Sequence, residues 1–160
     1  MLVVKHIFIF INLLPLLLIG SGCTWQAGAT KSKEMLPSKY PPQTAIQKGD
    51  VVDLHGNITN SDKLDRFISN YEKGQKDFVR ITKYTIEGDP ILYELSFNGK
   101  SIAYTVDNTR DHFAGNGKGE KTFQCSKIGK EQEEKFTDYY LSDCSDSANQ
   151  QKILSVPNVE

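Results

Sequence analysis

The sequence is poor in the residues that most often build metal centres. Its 160 residues include three cysteines and three histidines, and no two cysteines stand in a Cys-x-x-Cys spacing. A structural zinc site needs four ligands, usually at short and regular spacing. We therefore predict no metal site, and no cofactor apart from a covalent diacylglycerol lipid on Cys23.

An excess of positive charge is also lacking. Lysine and arginine together number 19, and aspartate and glutamate number 20, which gives a net charge of -1. Proteins that bind nucleic acid carry a clustered basic surface, and a field that steers charged substrates needs a strong charge imbalance. The composition thus argues against a nucleic-acid partner.

Long apolar runs are absent apart from one near the amino terminus. The first residues carry Lys5 and no acid, and residues 7–19 are almost wholly apolar, interrupted by Asn12 and Pro15. A membrane-spanning helix needs about 20 apolar residues, and an internal proline removes a backbone hydrogen-bond donor. Charge followed by an apolar run is typical of a secretory leader, and we predict a signal peptide over residues 1–22.

The end of the leader and the residue after it read IGSGC, which is similar to the lipobox of bacterial lipoproteins. In a lipobox an aliphatic residue and small residues precede a cysteine that becomes linked to diacylglycerol, as residues 19–22 precede Cys23 here. Two acyl chains hold a protein stably on a bilayer where one would not. We predict a palmitate-bearing lipoprotein on the extracytoplasmic face of a Gram-positive cell membrane. The alternative is cleavage by ordinary signal peptidase, which also accepts Gly20 and Gly22, and release of the protein.

Composition divides the remaining chain into three parts. Residues 23–39 are mixed and without periodicity, which is typical of a tether. Residues 40–144 carry the periodic patterns of a single domain, and the mature chain is long enough for one core. Residues 145–160 have the composition of a flexible tail, with one apolar patch at Ile153–Val156 that could add an edge strand.

Periodicity within the domain predicts an α+β fold. Prolines followed by AIQKG favour a short helix, and VVDL favours a strand after it. Apolar residues from Leu64 to Tyr71 recur at helical spacing and predict an amphipathic helix. Alternating patterns follow, with Asn98 and Gly99 as a hairpin turn. We predict a short amino-terminal helix, a strand and the amphipathic helix packed on a mostly antiparallel meander sheet of about five to six strands.

Two further cysteines, Cys125 and Cys144, lie near the end of the domain. In an exported chain an even pair is most simply a disulfide, because the compartment outside the membrane lets one persist. The alternative is two free thiols. Two cysteines with no histidine between them lack the ligands of a structural zinc.

Three segments of the domain carry a resemblance to a known family. The runs YPPQTAIQKGDVVDLHG and LDRFISNYEKGQKDFVRITKYTIEGDPILYELSFNGKSIAYTVDNTRD, followed by YYLSDC, resemble the domain of unknown function 4362 (DUF4362) family. The most specific parts are GDVV, YTIEGDPI and DNTRD. The resemblance implies an exported and often lipid-anchored protein of bacilli and their relatives. It implies no catalytic residue, because the family has no established activity.

The densest polar cluster is the segment DNTRDHF. It brings Asp107, Arg110, Asp111 and His112 within six positions, and two carboxylates with a histidine could hold a metal or act as an acid and base pair. A structural role is the stronger interpretation, because Asp and Asn at the end of a strand bond to their own backbone and arginine pairs with either acid. We keep these four residues as a candidate polar site and predict no catalytic residue.

Together these observations predict a non-enzymatic, partner-binding domain outside the cell membrane. Besides the membrane that holds the lipid, the predicted partner is an envelope protein or peptide. Tyrosines on the strands could offer it a face, although ordinary cross-strand packing is the simpler interpretation. Two alternatives stay open: a small metal-dependent or acid/base enzyme that uses Asp107, Asp111 and His112, and a structural protein of the cell envelope.

Overall fold

The computed structural model describes residues 35–145 and 150–158. The predicted leader, Cys23 and most of the predicted tether lie outside these residues. Within the described ranges, no helix is both long enough and apolar enough to cross a membrane.

Strands make up most of the regular structure in the described residues. The helices there are α1 (Pro42–Gln47) and α2 (Asp62–Glu72), and a 3-10 turn spans Gly115–Gly117. The strands are β1 (Val51–Leu54), β2 (Asn57–Thr59), β3 (Asp77–Tyr84), β4 (Pro90–Phe97), β5 (Ile102–Asp107), β6 (Glu120–Gln132), β7 (Phe136–Cys144) and β8 (Gln151–Pro157).

These strands form one mixed sheet in the order β2-β1-β3-β4-β5-β6-β7-β8. The neighbours β1 and β3 are parallel, with α2 in the connection between them, and the other neighbouring pairs are antiparallel. From β3 onward each strand pairs with the next in the chain, so this part is a meander. The sheet curls until it is nearly closed as a barrel.

Helix α2 packs on the inner face of the curled sheet, the face that carries the main core. The core takes residues from α2, from β1 and from β3 to β8. The hydroxyl of Tyr71 on α2 donates to the carbonyl of Ser126 on β6 at 2.9 Å, and the hydroxyl of Tyr139 on β7 donates to Asp65 on α2 at 3.0 Å. The helix is therefore bonded to the strands that curl around it. Its buried residues are Leu64, Phe67 and Ile68.

An amino-terminal arm, which we define as residues 35–50, covers part of the outer face of the sheet. The arm includes α1, and it packs over β1, β3 and β4. Because the arm lies on one side and the main core on the other, β3 is buried on both faces over Val79–Thr82. The buried residues of this second, smaller cluster are Tyr40, Ala45, Val52, Tyr84 and Leu92.

The predicted fold class is wrong. Periodicity predicts an α+β domain with about five to six strands, whereas the described residues form a mostly β structure with eight. The strands missing from the prediction are β2 and β8. Strand β2 has three residues, which is too short for alternation to be seen in a sequence. The parallel pairing of β1 with β3 makes the sheet mixed.

Strand β8 lies in the segment that composition assigns to a flexible tail. Its residues Ile153 and Leu154 are buried in the main core. The strand pairs with β7 with a register shift between Tyr139 and Tyr140. The apolar patch Ile153–Val156 thus belongs to the edge strand that the sequence left as an alternative. Residues 146–149 and 159–160 of the predicted tail lie outside the described residues.

The predicted hairpin turn at Asn98 and Gly99 is confirmed between β4 and β5. The side-chain oxygen of Asn98 accepts hydrogen bonds from the backbone N–H groups of Lys100 and Ser101 at 2.9 and 3.0 Å. Gly99 has a φ of 95°, a conformation that favours glycine. The register that follows pairs Leu92 with Asp107, so the end of β5 lies beside the start of β4.

Candidate functional site

The predicted polar residues lie at the end of β5 and in the loop that joins it to β6, and the aspartate side chains bond to the backbone there. Asp107 Oδ1 accepts hydrogen bonds from the backbone N–H and the hydroxyl of Thr109 at 2.9 and 2.6 Å. Asp111 Oδ1 accepts one from the N–H of Phe113 at 2.8 Å. Such short-range bonds are the usual role of aspartate at the end of a strand. The bond from Phe113 therefore supports a structural role for the carboxylate of Asp111.

Asp107 and Arg110 form an ion pair within this loop. Arg110 Nη1 lies 3.0 Å from Asp107 Oδ2. Burial favours the neutral form of Asp107, but the hydrogen bonds from Thr109 and the charge of Arg110 outweigh burial and lower the pKa of the carboxyl. Within the described residues, the buried Nε of Arg110 has no hydrogen-bond partner. One donor of this guanidinium is thus unused by the fold.

His112 pairs with Asp89, which lies in the turn between β3 and β4. The backbone N–H of His112 donates to Asp89 Oδ2 at 2.8 Å, and His112 Nδ1 lies 2.9 and 2.8 Å from the two carboxylate oxygens. The bonds from the backbone and the side chain of His112 lower the pKa of Asp89. The contact fastens the loop to the neighbouring turn.

The structure does not join the candidate polar residues into one acid/base site. Asp107 bonds to Arg110, Asp111 to Phe113, and His112 to Asp89. Among the side chains that the structure describes, no group of three or more His, Cys, Asp or Glu residues is placed to hold a metal ion. The guanidinium of Arg110 and the carboxylate of Asp107 do lie together, at the rim of a cavity.

This cavity, which we name the acidic cavity, has a volume of about 340 Å³ and opens on the outer face of the sheet. Glu94 comes from β4, and Asp107 and Glu120 come from paired positions of β5 and β6. Met35 and Leu36 are the first two residues of the arm. Three carboxylates thus share the wall with one guanidinium and three apolar side chains. The lining residues are Met35, Leu36, Leu92, Glu94, Asp107, Arg110 and Glu120.

A buried ion cluster lies beside the acidic cavity, under the arm. Arg80 Nε lies 3.0 Å from both carboxylate oxygens of Asp50, and Arg80 Nη1 lies 3.2 Å from Glu94 Oε1. Asp50 Oδ2 also accepts hydrogen bonds from the hydroxyls of Tyr40 and Thr82, each at 2.7 Å. Arg80 is 3% exposed and Asp50 2%, so both charges have left water and depend on each other.

The surroundings of the cluster raise the pKa values of Arg80, Tyr40 and Tyr84. Burial favours the neutral form of Arg80, but the bonds and charge of Asp50 outweigh it and raise the pKa of the guanidinium. Burial, together with Asp50, raises the pKa of Tyr40 above its usual range and that of Tyr84 to about 12. The Tyr84 hydroxyl donates to the carbonyl of Tyr40 at 2.7 Å. Near neutral pH Arg80 therefore stays charged and the two tyrosines stay protonated, and their bonds hold the arm on the sheet.

Sequence reasoning missed Asp50, Arg80 and Glu94. A signal for Arg80 exists, because it stands between apolar residues in FVRIT, and a charge in a strand covered on both faces needs a partner. That partner is 30 positions away in the sequence. No pattern in one sequence connects the two residues.

The structure joins Cys125 and Cys144 by a disulfide between β6 and β7. The two cysteines lie opposite each other in the strand register, and both are buried. This arrangement agrees with the disulfide interpretation rather than with two free thiols. Cys23 lies outside the described residues, and its lipidation stays a prediction.

Comparison with known proteins assigns the chain to a family. The model of the family described as Domain of unknown function (DUF4362) matches residues 48–140, which include Asp50, Arg80, Glu94 and the whole polar loop. No curated protein matches the chain, and no solved structure does. Because the match spans more than half of the 160 residues, the chain belongs to the DUF4362 family.

Proposed function

We propose that this chain is a membrane-anchored lipoprotein whose domain binds a partner outside the cell through the acidic cavity. The partner presents a basic group on an apolar stem, as a lysine or arginine side chain of an envelope protein or peptide does. The single observation that carries the proposal is the combination of three carboxylates with apolar side chains on the wall of one open cavity.

The charges of the acidic cavity favour a cationic guest. Glu94, Asp107 and Glu120 share the wall with Arg110 alone as a basic lining residue. Arg80 neutralises Glu94 only in part, because it also holds Asp50. A positive group that enters a partly buried site of this kind gains more from nearby carboxylates than it would in water.

The apolar side chains of the cavity favour a long side chain over a small cation. Leu36 and Leu92 lie beside the carboxylates. Lysine and arginine bury their methylene stems on apolar surface while the charged end finds a polar partner. Binding sites for such groups combine apolar walls with a few placed polar groups.

The acid/base alternative finds less support in the geometry. Asp107, Asp111 and His112 each bond to a different partner. A general acid and base pair must reach the same reacting group. The partner-binding function makes use of Asp107 and Arg110 without requiring that convergence.

The proposed anchor places the acidic cavity close to the bilayer. The lipobox-like motif supports a lipid on Cys23, and Met35, which lines the cavity, follows twelve residues later. Twelve residues extend to at most about 40 Å. A partner of the acidic cavity would therefore be met within that distance of the membrane surface.

A calorimetric titration of the full chain in neutral detergent tests the proposal. The ligands are the capped tripeptides Ala-Lys-Ala and Ala-Gln-Ala, and we expect the lysine peptide to bind about tenfold more tightly because it alone carries a charge. Glu120→Lys should weaken binding of the lysine peptide by about tenfold or more. The matched control Glu134→Lys makes the same charge change at an exposed position between β6 and β7 and should leave binding unchanged.

Equal affinity for the two peptides, or equal weakening by both variants, contradicts the proposal. A pull-down from native membranes with the wild type and these two variants then identifies the partner, which should be lost with Glu120→Lys alone. A chain whose deletion weakens the cell wall, and which binds neither peptide, would instead fit a structural envelope protein.

A further inference from the structure

A second cavity carries the opposite charge. It has a volume of about 500 Å³ and lies where α1 ends and where α2 and β3 begin. We name it the basic cavity. Asp50 and Asp77 are the carboxylates on its wall, so positive charges exceed negative ones by three. The basic side chains that line it are Lys48, Lys63, Arg66, Lys76 and Arg80.

The basic residues of this cavity differ in burial and in how closely they pair with carboxylates. Arg80 is buried and held by Asp50. Arg66 lies 3.3 Å from Asp77, and its side chain is half exposed. Lys63 approaches Asp62 only to 3.8 Å, between exposed groups, which is a weak contact. The outer part of the cavity thus presents Lys63, whose ion pair is weak, and Arg66, whose side chain is half exposed.

This concentration of positive charge does not follow from the composition. The whole chain has a net charge of -1, and yet three elements direct basic side chains to one place. Lys48 follows α1, Lys63 and Arg66 lie in the first half of α2, and Lys76 precedes β3. Like charges held together repel one another, so their assembly favours an anion that balances them.

The chemistry of the lining residues points to a phosphate group. A phosphate monoester carries up to two negative charges and several acceptor oxygens, which both the forked guanidinium and the lysine ammonium bind well. We propose that the basic cavity binds the phosphate group of a ligand, either a soluble phosphate or the phosphodiester of a lipid headgroup. This site goes beyond the proposed function, because it is a separate cavity of opposite charge.

Titration calorimetry on the full chain in neutral detergent tests this site with two probes. Pyrophosphate represents a soluble phosphate, and glycerophosphoglycerol represents the headgroup of an anionic lipid. We expect at least one probe to bind, and Lys63→Glu with Lys76→Glu to weaken its binding by about tenfold or more. Preference for pyrophosphate identifies a soluble phosphate as the ligand, and preference for the diester identifies a lipid headgroup.

The matched control is Lys100→Glu with Lys135→Glu, the same charge change at exposed positions between β4 and β5 and between β6 and β7. It should leave the affinity unchanged. No binding of either probe overturns the proposal, and so does equal weakening by the control double variant, which would indicate attraction by overall charge. The tripeptide affinities of the acidic cavity should not change in the Lys63→Glu, Lys76→Glu variant, so the two proposals can fail separately.

Discussion

At the scale of single residues, the pair of Arg80 and Asp50 is a buried contact whose loss should cost much stability. Both side chains are almost fully buried. Removing one member of such a pair leaves the other charge without water and without a partner, which costs about 3–5 kcal/mol. We expect Arg80→Met to lower the free energy of unfolding by that amount in urea denaturation.

The control for this variant is Lys127→Met. Lys127 pairs with Asp143 at 2.9 Å between exposed side chains, and exposed pairs contribute little to stability. If the two variants lose equal stability, the cluster has no special role in holding the fold.

Asp138 makes the free energy of unfolding depend on pH, because its hydrogen bonds favour the ionised carboxylate. Hydrogen bonds from Ser155, Lys152 and Tyr140 lower the pKa of Asp138 in the folded state. Its stabilising contribution is complete above the unfolded pKa of about 3.9 and is lost as the pH falls through the lower folded value. We expect the free energy of unfolding to be level from neutral pH to about pH 5 and to decline below about pH 4.

Ser155→Ala tests the assignment to Asp138, because Ser155 donates one of these bonds. The acid decline should become shallower in urea denaturation measured over a series of pH values. An unchanged acid limb would show that other carboxyls cause the decline.

The residues of the acidic cavity show which part of a site a sequence can reveal. Asp107 and Arg110 could be predicted as neighbours because they lie three positions apart. Glu94 and Glu120 join them only through the register of β4, β5 and β6. Strand register over such separations depends on packing of the whole sheet, which local periodicity does not report.

At the scale of elements, the disulfide between β6 and β7 encloses 19 positions of sequence. Cross-linking a loop of that size stabilises a fold by about 3 kcal/mol, chiefly by restricting the unfolded chain. We expect the double variant Cys125→Ser, Cys144→Ser to lose about that much free energy of unfolding. The same double variant should be insensitive to a reducing agent, whereas the wild type should lose stability on reduction.

Thiol titration is the measurement that could contradict the disulfide between Cys125 and Cys144. The denatured, unreduced wild type should show no reactive thiol from Cys125 or Cys144. Two reactive groups would restore the interpretation of these cysteines as free thiols.

The elements that could be predicted are those with strong local signals. Helix α2 follows from its apolar spacing, and the turn at Asn98 and Gly99 from its residue types. Asn60, which lies just before α2, donates its side-chain N–H to the carbonyl of Asp50 at 2.9 Å. That bond depends on where the arm lies, so no local rule contains it. The short β2 and the parallel pairing of β1 and β3 are tertiary features of the same kind.

At the scale of the whole molecule, the proposed anchor is the feature that decides where the protein acts. We expect labelled palmitate to appear on the wild type in cells and to be absent from Cys23→Ser, which lacks the acceptor sulfur. The wild type should fractionate with membranes, and Cys23→Ser should appear in the medium.

The double variant Cys125→Ser, Cys144→Ser serves as the control, because it should keep the label. Mass spectrometry that finds an unmodified wild-type protein in the medium would contradict lipidation. The phosphate and tripeptide affinities do not depend on this outcome.

The arm also determines how the molecule would respond to a pull on its anchor. Tension applied through Cys23 would arrive at Met35 and Leu36, and then at Tyr40, whose carbonyl and hydroxyl are bonded to Tyr84 and Asp50. Residues 35–40 would take the load before the curled sheet does, and Met35 and Leu36, which form one wall of the acidic cavity, would leave with them. Single-molecule stretching from the amino terminus should therefore show a small early extension before the main rupture, and release of the ligand should coincide with that first step.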